Sequence, residues 1–585
     1  MKVLKNNLFL LKKVWKYSKF LLFYIVLCGL VNAILNIANV IGIQKIIEQL
    51  PNIKDNISPL IIVTISYLII YLLCNIFLTW SWYFIPLASE KVKIGIASEK
   101  IKASRNLDFS CFDDSDFYDK YTRFLNSGES QVMSLVGILI ALLNNTFTIV
   151  GLSVAFLSYS PFLLISIVLE VALTTIIYSL QKKIDYDFDT KNTTLTRKIN
   201  YFKALSDSKY TQREDKIFNV LDFVNLKFLN YEKEYIQKEK KHSKKINSLS
   251  SIINSLSFIT LSVTLVISCY LIYNDKITIS IFVAILTGVS SLKAQMQSFV
   301  SQIPNFINNA LYVENYKYIL NYTPKIENTT GLQIDKENIK TLEFRNVSFS
   351  YPNSNTQCLK NISFKINNGE YLSIVGENGA GKSTIIKLIL RLYDPSEGEI
   401  LLNGINIKKY DIKSYRKVFS TIFQEYCIYN FTVNESITFD NNNPDISSIL
   451  SIVDLKEKID SYPLKDKSEF SKFFDNNGIL FSYGEQQRLG IARAIYKDAS
   501  IIILDEPSAS LDAVMEEKIS NLIMNELNAT IRIVISHKLS LTKNVNKIIV
   551  IENGCLIEQG THNELMSKDG KYAYLFNLQL KKYLW

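Results

Sequence analysis

The chain has 585 residues, 48% of them hydrophobic and 21% charged, with a net charge of +10, which is enough material for several domains. The placement of that charge excludes nucleic acid as a partner: many lysines flank long apolar runs, a sign of membrane topology rather than of a folded basic face. Seven cysteines without a C-x-x-C spacing argue against a disulfide framework or a metal site, and the N-terminus lacks the pattern of a cleaved signal peptide.

Residues 1–18 interleave Lys2, Lys5, Lys12, Lys13 and Lys16 with Leu8, Phe9, Leu10, Leu11, Val14 and Trp15. This predicts a basic amphipathic elbow on the cytoplasmic membrane surface. Residues 19–321 read as a transmembrane domain with six spans near 20–43, 58–84, 133–157, 161–180, 252–273 and 278–300. The tail before the first span and the 181–250 stretch are lysine-rich, whereas the loops near Lys54 and Lys276 are not. Positive-inside bias therefore predicts a multi-pass protein of the cell membrane with both termini in the cytoplasm. The long connections 85–132 and 181–251 keep helical periodicity. They are expected to be membrane helices continuing into the cytoplasm, turning at Phe112–Tyr118 and around Ser206–Phe218; the other reading of each is a disordered loop.

Polar residues within the spans are costly and face protein or water. Asn32, Asn36 and Asn39 share one face of the first span, Glu170 lies near the middle of the fourth and Lys293 deep in the sixth. Two readings are open: hydrogen bonds that lock helices together, or the lining of a translocation cavity.

A linker over 322–340 leads into a soluble α/β domain, 341–585. Leu342–Tyr351 alternates like an edge strand and ends in an aromatic. Tyr371–Val375 is an apolar run read as a buried strand, followed by a glycine-rich turn and a helix opening at Lys382. Gly376, Gly379, Gly381, Lys382 and Ser383 fit the P-loop spacing G-x-x-x-x-G-K-[ST]. Glycines let successive backbone N–H groups curl around phosphate oxygens, Lys382 reaches the outer phosphates and Ser383 holds Mg²⁺. This predicts an ATP or GTP site. Val418–Phe423 reads as a strand delivering Gln424. Ile501–Leu504 is four apolar residues ahead of Asp505 and Glu506, the first placed for Mg²⁺ and the second to orient or deprotonate a water. Ile531–Ser536 reads as a third strand, ending at His537.

Phe481-Ser482-Tyr483-Gly484-Glu485-Gln486-Gln487-Arg488 resembles the ABC signature LSGGQ-x-QR, a short helical interval ahead of Asp505-Glu506-Pro507. With the P-loop, Gln424, Ser510-Leu511-Asp512 and His537, the set resembles an ABC transporter nucleotide-binding domain. The whole chain is similar to the exporter type: an α-helical six-span transmembrane domain followed by an α/β P-loop ATPase domain. The resemblance implies that Tyr351 stacks on adenine and that Gly376, Glu377, Asn378, Gly379, Ala380, Gly381, Lys382, Ser383 and Thr384 bind the phosphates. It further implies that Gln424 senses the γ-phosphate and Mg²⁺, that Asp505 supports the metal, that Glu506 is the base and that His537 contacts the γ-phosphate. Ser482 and Gly484, with Glu485 beside them, would complete the site of the opposite subunit in a homodimer holding two ATP molecules. Phe481 and Tyr483 depart from the family signature, and Tyr483 puts the closure geometry in question. Tyr351–Asn355, Phe423–Tyr426 and Tyr429–Ile437 resemble the exporters of class I lanthipeptides. The function implied is ATP-driven export of a peptide, the alternative being a lipid flippase or multidrug exporter of the same architecture.

Overall fold

The structure is a computed structural model that describes residues 2–583 apart from 55, 127, 160, 207–208, 327–330, 353, 355, 425–428, 473–474, 507–529 and 536–541. The chain divides into two compact units, one of Met1–Ser104 with Lys120–Asn321, the other of Arg105–Asp119 with Tyr322–Trp585.

The first unit is helical: α1 (Lys2–Tyr17), α2 (Lys19–Gln49), α3 (Ser58–Arg105), α4 (Ser115–Asn126), α5 (Glu129–Tyr159), α6 (Pro161–Leu205), α7 (Lys209–Phe218), α8 (Val220–Tyr273) and α9 (Ile279–Leu320). Among the described residues, six of these helices are long and apolar enough to cross a membrane. Helices suit that solvent because every backbone N–H and C=O is satisfied within the segment. Their outer faces are correspondingly apolar and bare: on α3, Ile62 is 67%, Leu72 58% and Trp82 82% exposed. α3, α6 and α8, at 48, 45 and 54 residues, are far longer than a ~30 Å hydrocarbon core requires. Each continues well past such a core. A short 3-10 turn (Phe109–Asp113) overlaps the first expected turn only at Phe112 and Asp113, where Ser115–Tyr118 instead open α4, and α7 lies within the second.

Two features differ from expectation. The stretch leading from the first turn into the third span is not one helix, because Gly128 sits at φ +101, a left-handed backbone that an α-helix cannot contain. And α1 is amphipathic in a second sense, since the face carrying Asn6, Asn7, Leu10 and Val14 is buried. The Asn6 and Asn7 amides donate to the carbonyls of Ala310 and Phe306 on α9, at 3.0 and 2.8 Å. Glu99 of α3 takes Lys13 at 2.6 Å and Lys16 at 3.0 Å. The opposite face leaves Leu4, Leu8 and Trp15 exposed.

The second unit holds two sheets. One is four-stranded and antiparallel, β2 (Leu359–Asn367), β1 (Thr341–Phe349), β4 (Glu397–Leu402), β5 (Ile405–Asn406) in that order. β1, expected at an edge, lies inside it, bonded to β2 on one side and β4 on the other. The other sheet has the order β10 (Cys555–Gly560), β9 (Lys547–Glu552), β3 (Tyr371–Val375), β8 (Ile531–Ile535), β7 (Ile501–Asp505), β6 (Phe419–Ile422). β9 through β6 pair in parallel, while β10 closes the edge antiparallel. β3 and β7 are buried at every position, which is why they read as unbroken apolar runs rather than as alternation.

The stretch 322–340 is bonded to the domain it precedes. The Leu332 N–H donates to the Lys409 carbonyl at 2.9 Å, and the Ile334 N–H to the Ser414 hydroxyl at 2.8 Å. Upstream, the Asp108 carboxylate accepts from the Tyr322 hydroxyl (2.7 Å) and from the N–H groups of Lys325 (2.8 Å) and Ile326 (3.0 Å). Phe117, 6% exposed, meets the edge of the Tyr322 ring. Phe117→Ala is accordingly expected to lower cargo moved per ATP hydrolysed by more than it lowers ATP hydrolysis. Tyr118→Ala, at a half-exposed ring, is expected to do less. Parallel vesicle transport and ATPase measurements check this, and equal losses in both rates would refute it.

Candidate functional site

The parallel sheet sends its strand ends to one edge, where ligands of open α/β sheets bind. β3 leads there into the P-loop, β7 ends on Asp505, and Gln424 follows β6 by two residues. Strand order brings together what the sequence separates by up to 130 residues.

The P-loop owes its shape to two glycine constraints. Gly381 caps α10 (Lys382–Ile389) at φ +108, and a Cβ on Gly376 would lie 2.3 Å from the Ile551 carbonyl oxygen. A Cβ on Gly379 would meet nothing within 4 Å, so the loop is open on that side, as a phosphate cradle has to be. Ala380 is buried, Asn378 and Ser383 are exposed, and the exposed Glu377 pairs with Lys571 at 2.8 Å. Lys382 is buried and lies back on its own loop, with Nζ donating at 2.8 Å to the carbonyls of Gly376 and Glu377. Burial pulls its pKa below the usual amine range, against the opposing pull of Glu506 and Asp505.

Across the cradle, the Gln424 amide donates to Glu506 Oε2 at 3.0 Å. Glu506 adopts φ +54, and its N–H continues the β7–β8 ladder to the Ile535 carbonyl at 2.9 Å. That conformation costs a side-chain-bearing residue about 1–3 kcal/mol, and it turns the carboxylate off the strand line. Ser383, Gln424 and Asp505 offer a hydroxyl, an amide oxygen and a carboxylate, an all-oxygen donor set that fits Mg²⁺. Tyr351 lies against the P-loop helix: its hydroxyl is 3.0 Å from Thr384 Oγ1, and the Lys387 ammonium is 5.2 Å from its ring centre. Ser482 is the N-cap of the helix Tyr483–Tyr496, in a capping box with Glu485. Burial opposes ionisation of Glu485, but Lys458 at 2.7 Å and the Ser482 N–H outweigh it and hold the carboxyl below its usual range. Glu485 thus builds the start of that helix, and Tyr483 is exposed beside it at 60%. His537, Ser510–Asp512 and Glu425–Tyr426 lie outside the described residues.

The family model described as "ABC transporter" matches residues 359–509, a stretch that contains the P-loop, Gln424, the signature helix and Asp505-Glu506. In fold, the chain superposes on a bacterial Atm1-family ABC exporter with ATP bound at a TM-score of 0.77, covering 96% of this chain and 98% of that one at 21% identity. Residues 359–509 belong to the ABC transporter family, and the whole chain has the exporter fold.

Among its relatives, a Bacillus subtilis subtilin transport ATP-binding protein is 28% identical over 96% of this exporter and 93% of its own length. An ATP-dependent lipid A-core flippase of Wigglesworthia glossinidia brevipalpis is 28% identical over 86% and 85%. One from Idiomarina loihiensis reaches 32%, over 55% of each chain. The exporter is an ATP-binding, multi-pass membrane protein whose ATPase is coupled to transport.

Sequence reasoning missed the residues around the first turn. Tyr393 donates to the Asp113 carboxylate, and Phe109 lies edge-on to its ring at 5.8 Å. Tyr393 in turn meets Tyr351 and Phe349 at 5.4 Å each. Burial and the Asp113 carboxylate both push the phenol pKa up, keeping it a donor. The available signal was the aromatic and acidic run Asp108–Tyr118, in which only Phe117 and Tyr118 were expected to meet the ATPase domain.

Proposed function

We propose that this exporter moves a peptide out of the cytoplasm as a dimer of two copies, with both termini and the ATPase domain on the cytoplasmic side. The observation that carries the peptide reading is the alignment with the subtilin transporter, which runs through both domains over 96% of the chain. An interior carrying a charged pair, described below, suits a polar cargo. The flippase relatives support the second reading, a lipid cargo.

In the proposed site the P-loop amides and Lys382 bind the ATP phosphates, Tyr351 stacks on adenine, and Ser482 and Gly484 meet the nucleotide held by the opposite copy. Ser383, Gln424 and Asp505 hold Mg²⁺, which neutralises charge on the phosphates when bound. Glu506 accepts a proton from the attacking water, Gln424 fixes the Glu506 carboxylate, and His537 contacts the γ-phosphate. Nucleotide closure and release then bias two conformations of the spans.

The test is ATP-dependent uptake into inverted vesicles, comparing a lysine-bearing amphipathic peptide with a fluorescent lipid. Uptake of the peptide alone supports the peptide reading, and lipid translocation alone replaces it. Lys382→Ala serves as the nucleotide control. It should weaken ATP binding about tenfold or more, the scale of one charge-assisted hydrogen bond, in an equilibrium nucleotide-binding measurement.

A further inference from the structure

Glu170 of α6 is 2% exposed, and its partners come from two other helices. Lys293 Nζ of α9 lies 2.8 Å from Oε1, and the Ser257 hydroxyl of α8 donates to the same oxygen at 2.8 Å. Both partners therefore crowd onto one oxygen. Oε2 is buried and has no hydrogen-bond partner. Beside it lies a cavity of about 340 Å³ whose wall includes Glu170, Ser257, Thr260, Ser290, Lys293 and Gln297.

The site is deep in the bundle. At 1.5 Å per residue, Glu170 lies roughly 13 Å along α6 from Pro161 and Lys293 roughly 21 Å along α9 from Ile279, within a ~30 Å core. A carboxylate there is strongly penalised unless paired, which Lys293 provides. An unpartnered second oxygen is the acceptor of an unfinished site, because a carboxylate has about four lone-pair positions and buried ones are normally filled. The volume is at the low end for small-ligand sites and suits a side chain or a head group rather than a whole folded cargo.

We propose that this cavity is a cation subsite, taking an ammonium or guanidinium group of the cargo on Glu170 Oε2. An anion is disfavoured: its one cation, Lys293, is already bonded to Glu170, and the buried carboxylate would repel it. A cation instead meets a free acceptor, with the hydroxyls of Ser257, Thr260 and Ser290 and the Gln297 amide around it. Lys293 makes the exchange feasible. Its side chain is 19% exposed, and its flexible stem can carry Nζ toward solvent as the cargo cation arrives. Glu170 then never stands unpaired, with Lys293 as its partner at rest and the cargo during transport. The peptide reading enters only through the molecule that brings the cation, so the two are tested separately.

The experiment uses the full chain in lipid nanodiscs and reads stimulation of ATP hydrolysis by octylguanidinium and by octylurea, which has nearly the same shape without the charge. Octylguanidinium is expected to stimulate at a concentration about tenfold or more below octylurea. Glu170→Gln should abolish that preference. Because that variant leaves Lys293 without its anion, the double variant Glu170→Gln with Lys293→Met is measured alongside. It removes both charges together, leaves no buried ion, and should lose the preference in the same way. No preference in the wild type, or a preference that survives in the folded double variant, overturns the subsite. A second pair of probes, the lysine-bearing peptide and the same peptide with its lysine acetylated, tests the cargo class. If the guanidinium preference holds and neither peptide stimulates, the subsite stands and the peptide reading falls.

Discussion

Glu506→Gln is expected to lower ATP turnover by about 10²–10⁴-fold while leaving ATP binding in place, so that the protein holds nucleotide in a closed dimer. The geometry isolates the chemical role from the structural one. Glu506 accepts a side-chain hydrogen bond from Gln424, at 3.0 Å, and a glutamine oxygen can accept it equally well. Its backbone is fixed by φ +54 and by the bond to the Ile535 carbonyl, neither of which depends on the carboxylate. On the proposed mechanism, the substitution removes the capacity to take a proton from water. Single-turnover hydrolysis and retention of labelled ATP on purified protein are the measurements. Near wild-type turnover would remove Glu506 as the base and leave Asp505, one residue earlier at the end of the same strand, as the carboxylate to test next.

The strands that carry the candidate nucleotide site were legible because they are short and local. A buried parallel strand must be an apolar run, so Tyr371–Val375 and Ile501–Leu504 announce themselves, and the residues at their ends are the ones the sheet edge presents. The spans were legible for the same reason, since lipid demands a long apolar helix. What failed were inferences that need a neighbour. β1 alternates because one face of its sheet is covered, and that pattern is the same for an edge and for an interior strand; only the pairing with β2 and β4 decides. Asn6 and Asn7 had no place in the elbow reading, because only α9 brings the carbonyls to which both donate. Gly128 lay within a stretch with few glycines and gave no sign that it would take φ +101 rather than stay helical. Glu170 and Lys293, 123 residues apart, were each marked as costly, with the Asn32, Asn36 and Asn39 face or Lys293 as the partners open to Glu170; the meeting of α6 and α9 selects Lys293, at 2.8 Å.

Asp108→Ala is expected to separate ATP hydrolysis from transport. Arg105–Asp119 continues directly from α3, yet it belongs to the compact unit that holds the ATPase sheets. Asp108, 2% exposed, ties that segment to the start of the ATPase half by accepting from Tyr322, Lys325 and Ile326. Alanine strands three donors, two of them backbone N–H groups, at a local cost on the order of 2–4 kcal/mol. Of Asp108, Tyr322, Lys325 and Ile326, only Ile326 belongs to the hydrophobic clusters that enclose the sheets, so the nucleotide site should persist. ATP hydrolysis should survive while cargo moved per ATP falls several-fold, and amide hydrogen exchange at Lys325 and Ile326 should quicken. Asp108→Asn should fall between wild type and alanine. Its single amide oxygen can serve the Tyr322 and Lys325 donors on one side, but the NH₂ then opposes the Ile326 N–H on the other. If Asn and Ala behave alike, Asp108 acts through its charge rather than through these bonds. If transport and hydrolysis fall together with exchange unchanged, the residue only supports the ATPase fold and the coupling role is wrong.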